Sequence, residues 1–340
     1  MAFKSCTSTP DMFDGFLAAP PKNEILKRLR TLINWRALRQ TVAPAYAEMG
    51  RCGFDPVLLI KMLLLERLYQ LSDGDVVVES ADRLSFREFL ELKAADPVPD
   101  DTTLVKFRGR LRNRGNLLDR IMEEIERQLS AQGVAIKEGH IKIVDASLIE
   151  AAVAPPIKPK EGEEPAKPLD PDADWGGKKG KQVYGYKLHL GQDRETGLVA
   201  GHVVTPASVH DSRVFEQFLD QGEKEVLADK GYDSREHRKM LAALGAKASI
   251  MKRAEKNKSL NRWWKGRNKS IGRVRSFVEG TFAQLKRYLG CARARYRGLV
   301  RVREQMTWGV MAFNLRRAVA LLWGEPKRPK RREKCAQTAG

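Results

Sequence analysis

The chain has 340 residues, enough for two domains that each bury a core, and a formal charge of +19. That excess suits a polyanionic partner, because each lysine or arginine set on a phosphate releases counterions, but it names no reaction. Cys6, Cys52, Cys291 and Cys335 are scattered and form no CxxC pair, which argues against a disulfide framework or a zinc site and fits a reducing cytosol.

The first residues, 1–21, read as an arm; they carry Asp11 and Asp14 and lack an apolar stretch of signal-peptide length. From 22 to 138 the pattern is helical. Asp55-Pro56 predicts a capped helix over VLLIKMLLLERLYQL, with Leu58, Met62, Leu65 and Tyr69 on its stripe. PDDTT at 99–103 opens a second, in which Arg108, Arg110, Arg112 and Arg114 crowd together as a candidate DNA contact or a solvated basic face. Asn116 opens a third, with Leu117, Leu118, Ile121, Met122, Ile125 and Leu129 at helical spacing.

At 139 the character changes. IKIVDAS (141–147) is a β-branched run ending at Asp145, and 155–181 is rich in Pro, Lys, Glu, Asp and Gly, predicting a mobile loop. YGYKLHLG, LVAGHVVTP, EVLAD and KASIMK predict strands, while Ser212–Leu219 and Glu236–Leu244 predict helices. Helix is expected again from Arg273 to Trp323, followed by a basic tail over 325–340. No apolar run reaches the roughly 20 residues of a membrane span. The element order predicts an α/β domain over 139–324, one mixed sheet covered by helices, behind an all-helical region.

Asp145 and Asp229 each end a predicted strand, where the chain leaves a sheet for the crevice in which ligands bind. Either alone is equally a turn cap. In RVRSFVEGTFAQLKR, Glu279 and Lys286 fall about 40° and 20° from Arg275 on a helical wheel, so the three share one stripe beside an apolar face. In isolation that stripe also reads as a solvated, salt-bridged surface. His189, His202 and His210 lack metal spacing, Lys230 is a phosphate contact or a turn residue, and Asp233 is a turn acid. Asp211 and Ser212 read as caps.

IKIVDAS, VLADKGYDS and R-x₃-E-x₆-K resemble the first Asp, second Asp and Glu blocks of bacterial insertion-sequence transposases of the DDE superfamily. More narrowly they resemble the group with a Tyr-Arg-Glu-Lys signature, in the branch typified by insertion sequence five; PDDTTLVKFRGRL and TPASVHDSRVFEQFL share the likeness. The resemblance implies a ribonuclease H-like core in which Asp145, Asp229 and Glu279 bind two divalent ions. Hard oxygen donors without a Cys/His cluster suit magnesium, with manganese able to substitute.

It further implies binding of the terminal inverted repeats and target DNA, and cleavage at the element's ends. The freed 3′-hydroxyl would then be joined to target DNA, with Arg275 and Lys286 holding phosphates. No small-molecule cofactor and no membrane are expected, and the setting is the bacterial cytoplasm, associated with the nucleoid. A homodimer on DNA is expected, with the apolar N-terminal helices read as its interface or equally as an ordinary core. The signature's Tyr is Gly272 here, which puts a hairpin route in question. Trp263 and Trp264, in a basic stretch before the Glu279 helix, are candidates to stack a displaced base or to anchor a loop. Two other classes fit the same residues: a non-catalytic DNA-binding protein, and a nuclease that cuts without joining.

Overall fold

The computed structural model describes residues 23–46, 53–136, 139–156, 167–178, 180–220, 222–255 and 258–324. The arm expected over 1–21 and the basic tail lie outside the described residues.

The early helices start where short polar side chains turn back onto free amides. Asn23 caps α1 (Glu24–Leu32), Asn34 caps α2 (Trp35–Val42), and Asp55 caps α3 (Pro56–Tyr69), which opens on the expected proline. Ser72 and Asp75 form a reciprocal capping box on α4 (Asp73–Asp82), α5 (Leu84–Leu90) follows, and Asp100 caps α6 (Asp101–Asn113). Asn116 precedes α7 (Leu117–Ala131).

Six strands form one mixed sheet: β1 (His140–Glu150), β2 (Asp174–Gly176), β3 (Val183–Asp193), β4 (Val199–Pro206), β5 (Glu223–Ala228) and β6 (Lys247–Ile250). β3 pairs antiparallel with β1 on one edge and with β2 and β4 on the other. β1, β5 and β6 run parallel. α8 (Arg235–Ala243) and a 3-10 stretch, Asp211–Phe218, cover one face through Val214, Phe215, Phe218 and Leu241. α9 (Arg262–Tyr288) and α10 (Leu299–Trp323) cover the other through Val278, Phe282, Leu285, Met306 and Val310.

Several boundaries differ from the sequence reading. β1 runs five residues past Asp145, held there by its antiparallel partner β3. The helix expected over 212–219 is 3-10 and takes its cap from His210, whose Nδ1 accepts from the Ser212 amide, rather than from Asp211 or Ser212. The helix expected from Arg273 begins at Arg262 and breaks over Leu289–Gly298, where Gly290 and Gly298 take positive φ of 68° and 87°. Within the stretch expected to be a mobile loop, residues 167–178 are held. Asp170 is fully buried and accepts from the Tyr186 hydroxyl at 2.7 Å, while Asp172 caps α10 at the Leu299 amide at 2.8 Å.

α10 joins the two regions divided at 138. Its Trp308, Met311 and Leu315 enter the core of the N-terminal helices, while Val302, Met306 and Val310 enter the core beneath the sheet. α3 is buried on every side through Arg67, so the apolar surface expected at a dimer interface is used within the chain. Three ion-pair sets reinforce the junction. Glu66, 1% exposed, accepts from Arg67, Arg108 and Arg295. Arg112 grips Glu304 of α10 through two bonds of 2.7 Å, and Arg303 meets Asp119 at 2.9 Å.

Removing Glu66 leaves buried Arg67 without a carboxylate and Arg108 with Asp73 alone. Glu66→Ala is expected to destabilise the fold by about 3–5 kcal/mol, read as a lower urea midpoint, whereas Glu124→Ala on a partly exposed pair is expected to cost under about 1 kcal/mol. His189 and His202 give a second test. Burial pushes both imidazoles down to about 4, and each keeps a hydroxyl partner, Thr205 and Thr307 respectively. The unfolded chain therefore takes up protons first as pH falls, so this stability is full above about pH 6.5 and drains toward pH 4, by about 1–3 kcal/mol per histidine. Urea midpoints at pH 7 and pH 5 should differ in the wild type and converge in a His189→Gln/His202→Gln double variant.

Candidate active site

The site is built where the parallel ladder stops. Val144 of β1 and Ala228 of β5 are the last paired residues, so Asp145 and Asp229 leave the ladder side by side. Asp145 is still held in register opposite Leu190 of β3, and its Oδ1 accepts from the Ala146 amide at 2.9 Å. Asp229 begins the turn Lys230–Tyr232.

α9 crosses above this point because Val278, Phe282 and Leu285 pack it on the sheet, and that packing brings Arg275 over the two acids. Its Nη2 lies 2.6 Å from Asp145 Oδ2 and its Nη1 lies 3.5 Å from Asp229 Oδ1. The guanidinium is only 8% exposed, and its Nε is buried without a hydrogen-bond partner. Burial raises the Asp145 carboxyl above the ordinary aspartate range, and the Arg275 charge opposes that shift. One cation is thus shared by two carboxylates from neighbouring strands.

Glu279 lies on α9 one turn beyond Arg275 and faces solvent. Among the described residues no three His, Cys, Asp or Glu side chains come close enough to hold a metal together. Asp145, Asp229 and Arg275 are therefore brought together, and Glu279 stands apart on the same stripe. The donor chemistry fits a hard divalent cation, because two carboxylates already converge on one positive charge.

The remaining candidates divide. Lys286, two turns past Glu279, is half-buried; burial lowers its ammonium pKa and Glu150 opposes this. Lys230 is exposed beside Asp229. Arg108 and Arg112, expected on a DNA-facing patch, are taken up instead by Glu66, Asp73 and Glu304 in the junction between the two regions. Arg110 and Arg114 remain exposed, with Arg110 over the Tyr46 ring at 5.1 Å.

Trp263 and Trp264 sit in the first turn of α9 itself, not in a loop ahead of it. Their rings meet edge-on at 4.6 Å, and Arg267 lies 5.6 Å over Trp263, which is 59% exposed. A Cβ added at Gly272 would meet nothing within 4 Å, so crowding does not exclude a larger residue there. His189 and His202 are packed against threonines, and Asp233 is fixed by Arg238 and the Arg253 amide.

The sequence reading missed Tyr232. It is fully buried with an unpartnered hydroxyl, and burial together with Asp211, Asp145 and Asp229 pushes its ionisation well above the ordinary tyrosine range. Its place in GYDS, three residues after Asp229, was the available signal.

The chain matches two family models. The Transposase domain (DUF772) covers residues 16–110, and the Transposase DDE domain covers residues 137–315, more than half of the chain. Among solved structures it is similar to a piggyBac transposase synaptic complex with hairpin DNA determined by cryo-EM, with a TM-score of 0.44 and 11% identity over 90% of this chain and 77% of that one. With two aspartates at the end of the parallel ladder and a helix-borne arginine and glutamate inside the longer match, this chain belongs to the Transposase DDE domain family.

Proposed function

We propose that the chain is a metal-dependent DNA endonuclease and strand transferase that binds the terminal inverted repeats of a mobile element, cuts at its ends and joins the 3′-hydroxyls to target DNA. The observation that carries this reading is Arg275 bridging Asp145 and Asp229 at the end of a parallel ladder, within a transposase family match. A sheet half antiparallel and half parallel, with its acids beside the central strand, supports a ribonuclease H-like core. The R-x₃-E-x₆-K spacing supports the Tyr-Arg-Glu-Lys group and the insertion-sequence-five branch, with Gly272 as the departure.

On this reading Asp145, Asp229 and Glu279 are the residues that would hold two magnesium ions, or manganese in their place. Such a pair, when bound, activates an attacking oxygen and offsets charge on the leaving one. The protein's own part begins with Arg275. Its guanidinium stays near the acids and has a planar fork suited to phosphate, so an incoming phosphodiester competes with Asp145 for it. Lys286, half-desolvated further along the same stripe, sets a second positive charge for the strand, and exposed Lys230 a third. Tyr232 is fully buried beneath the acids, while Asp229 stays partly open to the side from which a strand would approach. Exposed Arg110 and Arg114 are left for flanking duplex, and two copies would hold two ends as a homodimer.

Asp145→Asn, Asp229→Asn and Glu279→Gln are each expected to abolish magnesium-dependent cutting of an end-containing duplex while leaving its binding within about twofold. Residual cutting by any of them at ordinary magnesium concentration removes that residue from the set. Arg275→Gln adds a readout without turnover. In EDTA the uncompensated acids should lower stability by about 2 kcal/mol, after discounting the partly exposed Asp229, and manganese should restore more of the melting temperature in the variant than in the wild type. An equal manganese response in both proteins would contradict the sharing of one cation site.

A further inference from the structure

α9 carries a second face. On the helical wheel Arg273, Phe277, Gln284 and Tyr288 fall about 160–220° from Arg275, on the side turned away from the acids. That side opens into a cleft of about 1190 Å³ between α9, α10 and the turn that joins β3 to β4. Arg273 of α9, Arg194 of the turn, and Arg316 and Arg317 of α10 line it, and no acidic residue does. Arg317 donates to the Thr196 carbonyl at 2.7 Å, and among the described residues Arg194, Arg273 and Arg316 meet no carboxylate at ion-pair distance. Elsewhere Arg67, Arg108, Arg112, Arg238, Arg275 and Arg303 are all paired.

Two aromatic rings stand in the same cleft, both partly open to water: Phe277 is 42% exposed and Tyr288 is 41% exposed. Arg287 lies 5.5 Å over the Tyr288 ring, holding cationic and aromatic surface together. Gly280, between these rings on the helix, would bring an added Cβ within 4 Å of nothing, so the floor is open. Four guanidiniums with no acid among the lining residues leave a positive field that favours a polyanion, which gains by releasing the small counterions it replaces. Half-exposed flat rings between them are of use to a ligand with flat apolar faces. A duplex hides its base faces; a single strand presents them.

We propose that this cleft binds single-stranded DNA, with phosphates on Arg194, Arg273, Arg316 and Arg317 and bases against Phe277 and Tyr288. It lies on the side of α9 away from Asp145 and Asp229, so it suits a separated strand that is not being cut. This adds a second DNA site to the function proposed above but does not depend on where cutting occurs.

The test is fluorescence anisotropy of the full chain in EDTA, using a labelled oligothymidine of about a dozen nucleotides and a blunt duplex of matched length. Arg273→Gln/Arg316→Gln is expected to weaken oligothymidine binding by at least tenfold and to make its salt dependence shallower. Phe277→Leu keeps an apolar side chain but removes the ring. It should weaken oligothymidine several-fold and leave the duplex unchanged, with thermal melting confirming that both variants fold. Binding is read in EDTA, where no cutting occurs and Asp145, Asp229 and Glu279 are untouched in both variants, so a failure of the cutting assignment and a failure of this one are separable. Oligothymidine affinity within twofold of wild type in the double arginine variant overturns the proposal, as does a loss confined to the duplex.

Discussion

Helix α10 sets the geometry of everything else, because it is buried along most of its length between two cores that would otherwise be separate. Burying an apolar helix on both sides removes it from water twice over, and at about 25 cal/mol per Å² of apolar surface that is a large part of the cohesion of such a domain. The N-terminal helices close over one side and the sheet with α9 over the other. Because close-packed interiors deform little, the position of α3 and α6 is tied to the position of the sheet. The ion pairs at Glu66, Glu304 and Asp119 lie along the same seam and fix its register by charge as well as by shape.

That seam explains the sorting of the basic residues. A protein with a net charge of +19 must put most of its cations at the surface, yet several of its arginines are inside. Arg108 is 8% exposed and is stabilised by Glu66 and Asp73, so its charge is balanced locally and contributes little to the external field. Arg275 is equally buried and is balanced by Asp145 and Asp229. The first arrangement holds both acids at hydrogen-bond distance from Arg108. The second leaves Asp229 at a longer distance and one guanidinium nitrogen unpaired, which makes it the exchangeable one. Among the arginines without an acid, Arg194, Arg273 and Arg316 gather at the opposite side of α9.

Much of this was legible from local residues. The caps Asp55 and Asp100 marked their helices, alternating β-branched residues marked the strands, and Asp145, Asp229 and Arg275 were all singled out, while Glu279 stands apart from the place where those three meet. What could not be read depends on partners distant in the chain. Arg108 looked like one of four equivalent arginines, and only contacts 35 and 42 residues away, to Asp73 and Glu66, remove it from the surface. Arg112 is removed by a partner 192 residues away. β1 outruns its expected end because β3 supplies hydrogen bonds that no local propensity encodes. Asp170 and Asp172 lay in a stretch whose composition predicts disorder, yet buried tyrosines and a helix N-terminus fix both. The start of α9 was obscured by a basic, tryptophan-bearing segment that Asn261 caps.

The unbroken length of α9 has a consequence for how this chain can change over generations. Its 27 residues form one rod of about 40 Å, and the residues on its two faces keep their relative bearings only while each turn is complete. A single inserted or deleted residue between Arg275 and Lys286 would swing everything beyond it by about 100°, turning the lysine away from its stripe and carrying Tyr288 out of the cleft. Substitutions along the rod are tolerable one at a time; changes of length are not. Residues 258–260, just ahead of the rod and outside its helical repeat, have no such phase to keep, so lineages of this chain should vary in length there and stay fixed in length from Trp264 to Tyr288.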